Sequence, residues 1–130
     1  MVVPAEVRAA LVAHAKAEAP NEACGLLLFR GGVAERYEPG RNEAASPYRF
    51  ELAFDDPDVW FAEDDGFDPA VFHSHLSSPA RPSRTDVENI GQWEGRPYLI
   101  LSLRTGALAA FTIADGRIAE LPLAPELPLA

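Results

Sequence analysis

Several absences bound what this chain can be. It has one cysteine, Cys24, so no internal disulfide can form, which fits a reducing compartment. No apolar run approaches the roughly 20 residues that span a bilayer, so no membrane partner is expected. The opening Met1-Val2-Val3-Pro4-Ala5-Glu6 has neither the basic region nor the apolar core of a secretory signal, so a cytoplasmic location is expected. Positive charge is scarce: 11 Lys and Arg stand against 20 Asp and Glu, for a formal net charge of −9. An acidic surface repels a phosphate backbone, which argues against nucleic acid as a partner.

What remains is ordinary for a folded protein. The chain is 130 residues long, 48% hydrophobic and 24% charged, which suits one domain with its own core. The pattern predicts a helix over residues 4–19, with Pro4 at the first helical position and Val7, Leu11 and Ala15 as its apolar stripe. Residues 24–29 read as a strand buried on both faces, because their apolar run does not alternate. Gly31-Gly32 signals a hairpin into a return strand over 33–38. A loop is expected over 39–42 and a third strand over 48–53.

Residues 55–65 hold six acids around Val59, Trp60 and Phe61. They lack the ligand order of a calcium loop and read as a solvated short helix or loop, with Trp60 as a possible anchor for a partner. A strand over 69–75, a helix over 83–93 and three strands over 98–103, 107–113 and 117–123 complete the domain. The last three are close enough for an antiparallel meander. The expected fold class is α+β: a single curved sheet, mixed or antiparallel, flanked by helices. The domain is taken to cover 1–121, with an extended, proline-rich tail over 122–130.

The chemistry concentrates in His73-Ser74-His75 and in Ser83-Arg84-Thr85-Asp86. On a strand, residues two apart share a face, so His73 and His75 project together and Ser74 points away. Two imidazoles and the Asp86 carboxylate make the ligand set of a catalytic zinc site with one open position. Each half has a plainer reading. The histidines could be structural, and Ser83-x-x-Asp86 could be only a capping box. Their conjunction across a short loop is what points to Zn²⁺. His14, inside the first helix, reads as an edge histidine, and Cys24 as a small buried residue.

His73-x-His75, seven residues, Ser83, two residues and Asp86 resemble the signature of the JAMM (MPN-domain) metalloproteases. Asn21-Glu22-Ala23-Cys24-Gly25 before an aliphatic strand, Asn42, and Tyr48-Arg49-Phe50 sit in family-like places. One departure is Leu76, where the family usually has proline. The resemblance covers roughly residues 6–121 and implies the MPN architecture, a cytidine-deaminase-like sheet, in a minimal prokaryotic form. It also implies that Glu22 is the proton shuttle and that Ser83 donates to the oxyanion. The implied activity is hydrolysis of the amide or isopeptide bond after the C-terminal Gly-Gly of a ubiquitin-like or sulfur-carrier protein. The alternatives are a non-catalytic scaffold of the same fold, a zinc deaminase, whose His-x-Glu and Pro-Cys-x-x-Cys elements are absent here, and an acidic binding module.

Overall fold

The computed structural model describes residues 1–124. The first helix, α1, spans Ala5–Glu18 and buries Val7, Leu11 and Ala15, the stripe its periodicity predicts. Pro4 lies outside it, at ψ 156°, as the N-cap and not the first helical residue. The chain arrives extended because Val2 bridges Val33, so the helix starts one residue later than expected.

Six strands form one mixed sheet: β1 Cys24–Arg30, β2 Val33–Pro39, β5 Asp68–His75, β6 Tyr98–Ser102, β7 Leu108–Ala114 and β8 Arg117–Leu121. Their spatial order is β2-β1-β5-β6-β7-β8. All neighbours pair antiparallel except β5 and β6, which run parallel. A parallel pair needs a crossover, and here the crossover is the segment after His75. The expected meander is β6-β7-β8.

The three central strands β1, β5 and β6 are buried on both faces, as continuous apolar runs require. Leu27, Phe72 and Leu99 pack under α1 with Leu11. Leu26, Val71 and Ile100 face the other way, toward Trp93 and Tyr98. Truncating one of these fully buried leucines to alanine would cost about 2–5 kcal/mol. Gly25 is dictated by close approach: a Cβ there would lie 2.5 Å from Tyr37 Oη and from the Glu38 carbonyl oxygen.

Three expectations need correction. Residues 39–42 are not simply a loop, and the strand expected over 48–53 shrinks to two residues. A short ribbon pairs β3, Arg41–Asn42, with β4, Leu52–Ala53. Asn42 explains the shortening. Its Nδ2 donates to the Glu22 and Arg49 carbonyls, and its Oδ1 accepts from the Ala44 and Glu51 amides, all at 3.0 Å. One side chain thereby satisfies backbone groups that a ladder would otherwise pair.

The helix expected over 83–93 breaks in two: α2, Arg84–Glu88, and a 3₁₀ turn, Gly91–Trp93. Asn89 caps α2 at φ −105° and ψ 19°, and Gly91, at φ +49° in the left-handed region, keeps the chain from resuming regular helix. The acidic stretch forms a 3₁₀ segment, Pro57–Asp65, which Asp56 opens by accepting from the Asp58 amide. Trp60 stacks on Trp93 and meets Phe54 edge-on, and it remains partly exposed. Of the tail, 122–124 run beside the N-terminus, where the Ala124 amide donates to the Met1 carbonyl at 2.8 Å, and 125–130 lie outside the described residues. Among the described residues no helix is long and apolar enough to cross a membrane.

Candidate metal centre

The C-terminal end of β5 brings His73 and His75 to one face, both almost fully buried. Their Nε2 atoms are 3.1 Å apart. Asp86, in the first turn of α2, reaches both: Oδ1 lies 3.2 Å from His73 Nε2, and Oδ2 lies 3.0 Å from His75 Nε2. Four-coordinate ligands about 2.1 Å from an ion stand about 3.4 Å from one another, so this spacing fits a cation.

The tautomers fit as well. His75 Nδ1 lies 2.8 Å from the Pro79 carbonyl, which can only accept, so Nδ1 carries a proton and Nε2 is the nitrogen turned to the centre. That bond also defines the loop after Leu76: it curls back over His75, with Ser102 Oγ donating to the Ser78 carbonyl at 2.8 Å. The His73 ring is sandwiched by aromatics. Phe50 stacks on it at 4.7 Å between centroids, and Tyr98 meets it edge-on.

Ser83 caps α2. Its Oγ accepts from the Asp86 amide at 3.0 Å, and Asp86 Oδ2 accepts from the Ser83 amide at 2.9 Å. The capping box is thus formed, and it aims the Asp86 carboxylate at the histidines. A hydroxyl has one proton and two lone pairs. Accepting from the Asp86 amide leaves the Ser83 proton free, so capping and donation to a substrate oxygen are compatible.

Glu22 comes from a distant part of the chain, the connection between α1 and β1. It is 2% exposed, and among the described residues its Oε1 has no hydrogen-bond partner. A Glu22 carboxylate oxygen and a nitrogen from each of His73 and His75 lie within 4.8 Å of one another. Four buried groups therefore converge: two imidazoles and two carboxylates.

Their environments separate the carboxylates. Burial alone would raise the Asp86 carboxyl, but His73, His75 and the Ser83 amide together hold it well below the usual range. Burial pushes the Glu22 carboxyl up to about 8, the negative Asp86 adds to this, and His75 opposes it. Burial lowers the pKa of His73, which keeps its ring neutral. For His75 the bonds to Asp86 and Pro79 outweigh burial and raise it.

Cys24 and His14 lie outside this centre. Burial pushes the Cys24 thiol up to about 12, which makes it an inert packing residue. His14 Nδ1 bonds Tyr37 Oη at 2.7 Å on the α1 side. The sequence pattern alone assigned no role to Asn42, Phe50 or Ser74. The signal for Ser74 was its place between the histidines; for Asn42 and Phe50 only resemblance marked them.

The chain's residues 4–114 match the family model described as prokaryotic homologs of the JAB domain. A CysO-cysteine peptidase of Mycobacterium tuberculosis is 34% identical over 131 residues, covering 95% of this chain and 89% of that protein. The solution structure of DSY2949 from Desulfitobacterium hafniense matches with a TM-score of 0.80 and 31% identity, over 98% of this chain and 94% of that one. A structure described as JAMM, a metalloprotease-like zinc site in the proteasome and signalosome, matches with a TM-score of 0.56 and 17% identity, over 95% and 97% of the two chains, and shares the fold.

Proposed function

This chain belongs to the prokaryotic JAB-domain family, and on that premise we propose that it is a zinc-dependent peptidase that removes a group amide-linked to the C-terminal Gly-Gly of a small sulfur-carrier or other ubiquitin-like protein. One observation carries the reading: two imidazole nitrogens and an ionised carboxylate converge within 3.2 Å, beside a second carboxylate with a free oxygen. The name of the mycobacterial relative supports a carrier bearing a C-terminal cysteine as substrate.

His73, His75 and Asp86 are the proposed ligands. Zinc held there would supply Lewis acidity, acidifying a water and polarising a carbonyl oxygen. The protein groups do the rest. Glu22 orients the attacking water at Oε1, takes its proton and passes it to the leaving amine. The Ser83 hydroxyl donates to the carbonyl oxygen as it gains charge. Phe50 keeps one face of His73 dry and fixes its ring plane. A cavity lined by Phe50, Leu52, Ile90 and Trp93 lies beside Phe50, and the substrate tail would lie extended along it, adding a strand.

Glu22, His73 and His75 form a second possible ligand set, with Glu22 in place of Asp86. Geometry favours the first assignment: the Asp86 oxygens lie 3.2 and 3.0 Å from the two imidazole nitrogens, whereas the set containing Glu22 gathers only within 4.8 Å. The deciding experiment incubates zinc-loaded protein with a panel of Gly-Gly-tailed carriers bearing a C-terminal cysteine or a lysine conjugate, read by mass. Loss of the C-terminal group is expected, and Glu22→Gln should abolish it with zinc retained. Wild-type cleavage by zinc-bound Glu22→Gln would refute the role of Glu22, and loss of zinc on that substitution would make it a ligand.

A further inference from the structure

The histidine ligands need strand alternation, and alternation leaves a residue between them facing the other way. That residue is Ser74, fully buried. Its hydroxyl is not idle. Ser74 Oγ accepts a hydrogen bond from the Ala23 amide at 2.8 Å, while the Ser74 amide donates to the Ala23 carbonyl at 3.0 Å. The β1–β5 ladder ends one step earlier, at the Cys24–His73 pair. Ser74 therefore extends strand pairing by one residue, with a side-chain oxygen accepting from the Ala23 amide.

The residue before Ala23 is Glu22. Among the described residues its Oε1 has no partner, so no bond to that oxygen from them sets where the carboxylate points. Its direction comes from the backbone, which is held on three sides. The Glu22 amide donates to the Ser46 carbonyl at 2.9 Å, its carbonyl accepts from Asn42 Nδ2 at 3.0 Å, and the next amide is held by Ser74. The first two holds come from the peripheral loop that carries the short ribbon. Only the third comes from the strand that carries the histidines.

We propose that Ser74 is a positioning residue for Glu22: its hydroxyl ties the segment bearing the proton shuttle to the strand bearing the metal ligands, and so sets the carboxylate's distance from the centre. This inference rests on the reading of Glu22 as the proton shuttle. A residue without an acceptor at position 74 leaves the buried Ala23 amide unpaired. The segment then relaxes toward whatever can pair it, and the carboxylate moves with it. A shift of about 1 Å in a catalytic group costs on the order of 10²-fold in rate.

The test uses the full chain, zinc-loaded, with a Gly-Gly-terminated carrier bearing an amide-linked C-terminal cysteine that the wild type cleaves. Ser74→Ala removes the acceptor. Ser74→Cys keeps nearly the same shape with a weak acceptor and serves if the alanine variant fails to fold. Ser74→Thr keeps the oxygen. For Ala and Cys we expect one zinc per chain, an unchanged KM, a kcat lowered on the order of 10²-fold and faster hydrogen exchange at the Ala23 amide. Thr should restore both kcat and amide protection. Wild-type kcat in Ser74→Ala or Ser74→Cys overturns the proposal. So does a Thr variant as slow as these with Ala23 still protected. If zinc-bound Glu22→Gln is itself fully active, the reading of Glu22 has failed; if it is inactive while the Ala and Cys variants run at the wild-type rate, only the role of Ser74 has.

Discussion

Two carboxylates enter the same buried centre from two different regions, and the regions treat them oppositely. The start of α2 surrounds Asp86 with partners: two imidazoles and the Ser83 amide. The α1–β1 connection buries Glu22 as deeply but leaves Oε1 without a partner among the described residues. The same burial that would raise both is overcome at Asp86 and unopposed enough at Glu22 to carry it to about 8. The lesson is that burial alone does not assign a carboxylate a role. Donors do: a group saturated with them stays ionised and can hold a cation, and a group starved of them keeps a proton within reach at neutral pH.

The sharpest way to break this contrast is to remove the saturated partner. Asp86→Ala should abolish zinc binding and all hydrolysis, and leave two neutral imidazoles facing each other. Elemental analysis decides it: one zinc per chain in Asp86→Ala would end its assignment as a ligand. The fold should survive, because a core of this size does not depend on a metal staple.

A smaller effect is expected at Ser83, which sits on the Asp86 side of the comparison. Ser83→Ala should retain zinc, slow turnover on the order of 10²–10³-fold through loss of an oxyanion donor, and cost about 1 kcal/mol through loss of the cap. A lowered melting temperature with unchanged kcat would leave Ser83 a cap and nothing more.

The smallest effect is on stability and sits on the Glu22 side. In metal-free protein the Glu22 carboxyl has a pKa of about 8, against about 4.3 for an unfolded chain. A raised folded pKa means the protonated form is favoured by folding. Its contribution is full below about pH 4, declines as pH rises, and is lost through about pH 8. Glu22→Gln cannot ionise. Its melting temperature in chelator should therefore gain on the wild type's between pH 5 and pH 8. A difference that stays flat across that window would mean Glu22 is ionised in the fold and that the contrast with Asp86 is not real.

Much of this was legible in the chain. The histidines announce themselves through period-two spacing on an apolar strand, and Ser83-x-x-Asp86 announces a helix start; both are local rules, and both elements formed where local rules put them. The central strands were legible because a run apolar on both faces has nowhere to go but the middle of a sheet. The peripheral ribbon was not. Its pairing is set by a single asparagine bonding four backbone groups contributed by Glu22, Ala44, Arg49 and Glu51, and no periodicity encodes that. The early end of α2 is not legible because the apolar spacing of Val87, Ile90 and Trp93 survives a break that begins at the Asn89 cap and continues through the left-handed Gly91.

The sequence by itself determined the histidine strand and the capped carboxylate, since each depends on residues within a few positions of one another, and the acidic, uncrosslinked character of the chain, which is composition alone. Only the tertiary structure decided that Glu22 meets the histidines. They are separated by about fifty residues, and what joins them is the antiparallel pairing of β1 with β5, closed at its end by Ser74 and Ala23. It also decided that Glu22 and Asp86 differ. Protonation depends on which donors burial brings within reach, and that is a property of packing, not of the residue type.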